Sequence, residues 1–344
     1  MAKKFWTTIS LAALMIFSAI VGGCGETSDT SNSQGDSAQG KKLLIYTSMK
    51  ENLIGGIVEG FKKKYPDVEV DYQSGGAGKL MAKVDAERQS GQIMADIIWT
   101  SEVPDFYQMK EEGLLEKYQP TPFDELLNPF DDYDGSFTAA RLGTLGIVIN
   151  TDKVENPPTD WETLTTDPLY KNAFGIADPA LSGTSYMSVA LLEKQFGWDF
   201  FERLRANGTK KGKGSSQVID ETATGDLNAC LGVDYITAGK IDKGAHLKLI
   251  YPKELLMVPS PVAIFKDSEN KEVAKNFVDY LLTQEAQQKV ADAGTVPVRT
   301  DVVMPEKYNL PAPEVAFKSG IKINYTEILP HKEETVKKFS ELFK

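Results

Sequence analysis

Hydroxyl and glycine residues recur in this sequence just ahead of helix-like segments. They occur as Thr47-Ser48, as Ser74-Gly75-Gly76-Ala77-Gly78-Lys79, as Thr100-Ser101 followed by Glu102, and as Ser182-Gly183-Thr184. A further pair, Asp234-Tyr235, adds a carboxylate and a phenol. Free backbone N–H groups at a helix start, flanked by Ser or Thr hydroxyls, form an uncharged cradle for an oxyanion. The bland reading of the same residues stands beside it. Ser182 and Thr184 also suit a helix cap, the glycine run also suits a flexible turn, and Tyr235 also suits a core. The glycine run is not a Walker A loop, because Gln73 occupies the first glycine position and Leu80 the position of the Ser or Thr. Nucleophilic and zinc chemistry lack their parts. The chain has two histidines, His246 and His331, and no H-E-x-x-H, C-x-x-C or G-x-S-x-G.

Alternating strands and helices must position these clusters. Leu43 to Tyr46 is a compact apolar run, the mark of a strand buried on both faces. Ile54, Ile57, Val58 and Phe61 then form one apolar stripe of a helix over residues 51–64, stopped at Tyr65-Pro66-Asp67. Val68 to Tyr72 reads as a second strand, Leu80, Met81 and Val84 open another helix, and residues 96–99 are a third strand. The β-α-β-α-β order implies a parallel sheet flanked by helices. Further strands are expected at 145–150, 174–177, 231–234 and 258–265, the last interrupted by Pro259 and Pro261. Helices are expected from about 184 to 196 and after residue 270, the latter with Val273, Phe277, Tyr280 and Leu281 on one face. Every cluster named above falls at the carboxyl end of such a strand, where open α/β sheets bind ligands.

The N-terminus carries a different message. Lys3 and Lys4 precede an apolar stretch from Ile9 to Val21, followed by Val21-Gly22-Gly23-Cys24. A charged start, a short apolar core and small residues describe a secretory signal over residues 1–23. The tetrad resembles the lipobox of bacterial lipoproteins, which implies acylation of Cys24 and a membrane attachment through lipid. Residues 25–40 contain one apolar residue, Ala38, and read as a flexible tether. Cys230, the only other cysteine, is then left as a small core residue. The net charge of −11 argues against nucleic acid, which needs basic surface. It leaves an anionic small ligand possible, since a buried site sets its own field.

In this order the segments IYTSMKEN, YQSGGAGKL, ADIIWTSEVPDF, GIVINTDKV, IADPALSGTSY, LGVDY, FVDYLLTQEAQQKV and VPVRTDV are specific. The chain from Leu43 to about Val302 resembles the type II periplasmic-binding-protein fold, in particular the family of ferric-iron-binding and 2-aminoethylphosphonate-binding proteins. The resemblance implies a two-lobe α/β protein, each lobe a mostly parallel sheet flanked by helices, with the ligand between the lobes. Lobe 1 would take residues 41–144 with 261–344, and lobe 2 residues 145–260 including two crossing strands. It implies a monomer with no catalytic activity and no cofactor. Such a protein captures a small anion of phosphonate or organophosphate type, outside the cytoplasmic membrane, for an ABC permease. The candidate ligand residues at the strand ends are Thr47, Ser48, Ser74, Gly75, Gly76, Gly78, Thr100, Ser101, Glu102, Ser182, Gly183, Thr184, Asp234 and Tyr235. Ferric iron is the alternative cargo, with Tyr235 and Glu102 as ligands. Many ferric binders have adjacent tyrosines here, whereas this chain has Tyr235-Ile236, and Met49 stands near the place of a first-loop histidine. A ligand-sensing receptor for a membrane signalling protein is the alternative of another class.

Overall fold

The computed structural model describes residues 41–344; the expected signal, Cys24 and the expected tether lie outside the described residues. The first third of the described chain runs β1 (Lys41–Thr47), α1 (Glu51–Lys64), β2 (Val68–Ser74), α2 (Ala77–Gln89), β3 (Ile97–Trp99) and α3 (Val103–Glu111). β1 pairs in parallel with both β2 and β3, Ile45 lying opposite Tyr72 and Ile97. α1 covers this set with Leu53, Ile54, Ile57, Val58 and Phe61 buried, as its stripe predicts.

β4 (Thr138–Asn150) follows, with every one of its 13 residues buried. Then come α4 (Thr163–Thr166), β5 (Phe174–Ala177), α5 (Gly183–Phe196), α6 (Asp199–Ala206), β6 (Lys210–Gly212), α7 (Ser215–Thr224), β7 (Ala229–Val233), α8 (Asp234–Ile241), β8 (Leu247–Ile250) and β9 (Leu256–Ile264). β5 pairs in parallel with β6 and β7. The chain closes with α9 (Lys271–Leu281), α10 (Gln284–Asp292), α11 (Pro313–Ser319), α12 (Tyr325–Ile328) and α13 (Lys332–Leu342).

The strands join in the order β2-β1-β3-β9-β4-β7-β5-β6, with β8 also on β4. Two parallel sets are therefore linked through an antiparallel middle, because β9 runs against β3 and β4, and β4 runs against β7 and β8. β4 starts at Thr138, seven residues ahead of the start read from the sequence. Arg141 and Gly143 break the apolar run there, and an arginine in a fully buried strand carries no hydrophobic signal. The two prolines of β9 sit where the pairing slips: Pro261 faces Ala139, Pro259 faces Leu142, and the register shifts between them. A strand proline removes a ladder donor and is tolerated at such a bulge. The backbone it strands is satisfied elsewhere. Leu142 N donates to the Val296 carbonyl at 2.8 Å, and Gln287 Nε2 donates to the Ala140 carbonyl at 2.9 Å.

The C-terminal segment lies across both sets. The Tyr325 ring lies within 6.1 Å of those of Tyr107 on α3 and Phe130, while Tyr186 of α5 donates to the Ile328 carbonyl at 3.1 Å. Phe339 on α13 meets Phe201 on α6 edge-on at 6.1 Å, and Arg205 of α6 holds the carbonyls of Leu342 and Lys344. The last helix thus packs on α6.

Candidate functional site

Loops at the carboxyl ends of the strands of both sets enclose a cavity of about 350 Å³. Three helices present their N-termini to it. α2 starts behind Gly76 and α7 behind Gly214, and neither glycine offers a side chain to cap the first turn. α5 starts behind Ser182, whose Oγ accepts from Ser185 N and from no other first-turn N–H. Lys79 N and Gln217 N bond back to the Gly76 and Gly214 carbonyls, and the first two N–H groups of each helix have no hydrogen-bond partner in the protein, the arrangement that binds anions.

Three hydroxyls converge between α5 and α7. Ser182 Oγ is 3.1 Å from Thr184 Oγ1 and 3.1 Å from Ser215 Oγ, and Thr184 Oγ1 is 3.2 Å from Ser215 Oγ. Lys50, Lys79 and Lys213 stand on the same wall, and no Asp or Glu does. Lys50 is half-buried with no carboxylate beside it on the wall, and burial holds its ammonium below the ordinary lysine value. The local field is therefore positive in a protein that is acidic overall. A bound oxyanion would relieve that uncompensated charge.

Of the residues singled out from the sequence, Ser48, Gly75, Gly76, Ser101, Ser182, Gly183, Thr184 and Tyr235 lie on the wall. The others lie behind it. Thr47 Oγ1 donates to the Trp99 carbonyl at 2.9 Å and accepts from Met49 N, and Ser74 Oγ donates to the Met49 carbonyl at 2.7 Å. These two side chains fasten the β1 loop to its neighbours. Thr100 is fully buried. Gly78 faces the other set, since a Cβ there would sit 2.9 Å from the Ala180 carbonyl oxygen. Asp234, expected among the ligand residues, is instead buried in an ion pair with Arg141 at 3.1 Å.

Tyr235 reaches the cavity with its ring while its polar groups are engaged across the junction. Its hydroxyl donates to the Ser48 carbonyl at 3.2 Å, and its own carbonyl accepts from Asn52 Nδ2 at 3.0 Å. Burial pushes the phenol up to about 12, so it stays protonated at neutral pH. With its hydroxyl already bonded to a backbone carbonyl and three lysines on the same wall, the phenol stands in surroundings that disfavour a cation.

Glu102 and Asp105 are buried together, and both pair with Lys332 of α13. Burial drives the Glu102 carboxyl up to about 7, Asp105 adds to the push and Lys332 opposes it; Tyr186 of α5 faces the same cluster. The folded carboxyl holds its proton more tightly than the unfolded chain does. This group's contribution to stability is therefore complete below about pH 4.3 and declines as pH rises toward 7. Glu102→Gln, which leaves the Lys332–Asp105 pair, is expected to flatten that decline and to melt above the native protein at about pH 8. Parallel melting curves for the two proteins from acid to alkaline pH would contradict this.

The sequence reading left out Lys50 and the whole Lys213-Gly214-Ser215-Ser216 loop. Its strand, β6, reads Lys-Lys-Gly and lies at the sheet edge, with no apolar run to announce it. The loop itself repeats the signature used elsewhere, glycine and hydroxyls ahead of a helix. The site could have been found on that pattern alone.

Residues 92–318 match the model of the family described as bacterial extracellular solute-binding protein, and the chain belongs to that family. It is 30% identical over 263 residues, 72% of this chain and 74% of the other, to an uncharacterized protein of Haemophilus influenzae. It is 25% identical to the phosphoglycerate transport regulatory protein PgtC of Salmonella typhimurium, over 75% of this chain and 66% of that one. The periplasmic binding protein AfuA of Actinobacillus pleuropneumoniae, solved with fructose-6-phosphate bound, superposes with a TM-score of 0.77 and 25% identity, covering 88% of this chain and 98% of that one. Family and fold are those of two-lobe binding proteins, not enzymes. No helix among the described residues is long and apolar enough to cross a membrane.

Proposed function

We propose that this protein captures a small anion of phosphonate or organophosphate type between two lobes and delivers it to an ABC permease. Lobe 1 takes residues 41–144 with 261–344, lobe 2 residues 145–260, and a lipid on Cys24 holds the monomer to the outer face of the cytoplasmic membrane. The observation that carries the reading is the wall itself, three open helix N-termini and three lysines without a carboxylate. That set neutralises and hydrogen-bonds an oxyanion without any bond chemistry. The sugar phosphate in the AfuA structure and the phosphoglycerate in the name of PgtC agree with it in kind.

Calorimetric titration of residues 41–344 with fructose 6-phosphate, 3-phosphoglycerate and 2-hydroxyethylphosphonate tests the reading, and at least one should bind. Thr184→Ala removes one corner of the hydroxyl triangle and is expected to weaken that binding by about 1–3 kcal/mol. Unchanged affinity would place the anion elsewhere. Ferric citrate should give no visible charge-transfer band, since the Tyr235 hydroxyl is bonded to the Ser48 carbonyl and three lysines line the wall. A coloured complex bleached by Tyr235→Phe would make iron the cargo.

A further inference from the structure

Asp234 directly precedes Tyr235 on the wall, as Glu51 follows Lys50 and Glu102 follows Ser101. Left to itself, Asp234 would offer a counter-charge to a ligand ammonium group. One strand removes it. Arg141 Nη1 donates to Asp234 Oδ1 at 3.1 Å, and Thr144 donates to Oδ2 from both its N–H (2.8 Å) and its hydroxyl (3.2 Å). Between them stands Gly143, where a Cβ would lie 2.4 Å from Arg141 Nη1, so the strand backbone closes directly over the guanidinium. Thr295 Oγ1 adds a bond to Oδ2 at 2.5 Å and Tyr235 N one to Oδ1 at 2.7 Å. These donors saturate both oxygens.

The same guanidinium supports the cavity floor. Nη2 donates to Ser101 Oγ at 3.2 Å, and Cζ lies 4.8 Å from the centre of the Tyr235 ring, so two wall residues rest on Arg141. Arg141 itself is 1% exposed and does not reach the cavity. We infer that Arg141 is a specificity-determining positioning residue, which by sequestering Asp234 restricts the cavity to anions that carry no ammonium group.

The inference rests on the anion-binding reading of the site, and one pair of probes separates the two. 2-Hydroxyethylphosphonate and 2-aminoethylphosphonate differ only in a hydroxyl against an ammonium. The native protein should bind the hydroxyl compound at least about tenfold more tightly, because the ammonium meets three lysines and no free carboxylate. Arg141→Gln should move that ratio at least about tenfold toward the amine by releasing Asp234, and Arg141→Gln with Asp234→Asn should restore it. A merely structural role would weaken both probes alike and leave the ratio unmoved, which would overturn the inference in a variant that still melts cooperatively. Should Arg141→Gln not fold, Asp234→Asn alone decides. With Arg141 then uncompensated beneath the floor, the ratio must rise further toward the hydroxyl compound, and an unchanged ratio sinks the inference. Equal binding of the two probes by the native protein overturns the role of Arg141 and leaves the anion site standing. Failure to bind either phosphonate, fructose 6-phosphate or 3-phosphoglycerate overturns the anion site and the inference with it.

Discussion

Changing Lys50 and Lys213 together to methionine is expected to lower affinity for the bound phosphate or phosphonate by about two to four orders of magnitude. Each lysine faces the cavity with no carboxylate on the wall to share its charge, so its ammonium is available to the ligand. A hydrogen bond to a charged group contributes about 1.5–3 kcal/mol, and the two residues stand on separate loops ahead of α1 and α7, so the losses should roughly add. The stability effect should run the other way. Burial already disfavours the charged form of Lys50 in the empty protein, so that pKa is depressed on folding and Lys50 withholds stability wherever it must carry a proton. Lys50→Met without ligand should therefore melt no lower than the native chain at neutral pH. Titration calorimetry and a melting curve on the same sample check both halves. Affinity within a factor of about three of the native value would remove the lysines from the site.

Gly76→Val is expected to damage binding by geometry alone. Gly76 has φ −65° and ψ 143°, an extended conformation open to valine, so the backbone is not the obstacle. The obstacle is the facing loop, because a Cβ at this position would lie 2.5 Å from the Leu181 carbonyl oxygen. Two loops from opposite parallel sets meet here backbone to backbone, and any side chain must push them apart. Relieving such a clash costs about 1–3 kcal/mol. The apparent affinity falls with the population of the joined form, roughly 5- to 150-fold for that range. Gly75→Ala is the control, since its added Cβ would meet only the Leu80 side chain at an ordinary 3.5 Å. If both variants bind like the native protein, the approach of the two loops has no part in holding the ligand.

How much of this could be read from the residues depended on the kind of signal each element emits. α1 is amphipathic with a clean stripe, and its bounds of Glu51 and Lys64 coincide with the expected ones. Buried strands such as β3 and β7 declare themselves as apolar runs. β4 was half legible, because Arg141 interrupts its apolar run although it is sealed in the interior. Pairing with Asp234, nearly a hundred residues away, is what permits that burial, and no local pattern encodes it. The same long-range pairing explains why Asp234 looked available. For the site, the rule that ligands gather at strand ends found the loops but could not say which side chains turn inward. Thr47 and Ser74 turn away because loop carbonyls take up their hydroxyls. Lys50 was passed over because lysine usually marks a solvated face.

The C-terminal segment changes the mechanics of the molecule. Two adjacent strands, β4 and β9, make a narrow ribbon, and a ribbon bends easily, twists nearly as easily and resists only stretching. The residues from Tyr325 to Phe339 add a third linkage away from that ribbon, fixed to α3 and Phe130 at one end and to α6 at the other. Set off the line of the ribbon, this linkage opposes twisting and swinging alike. A chain cut ahead of Tyr325 would keep the hydroxyls of α5 and α7 and the N-terminus of α2, and would lose this third tie between the two parallel sets.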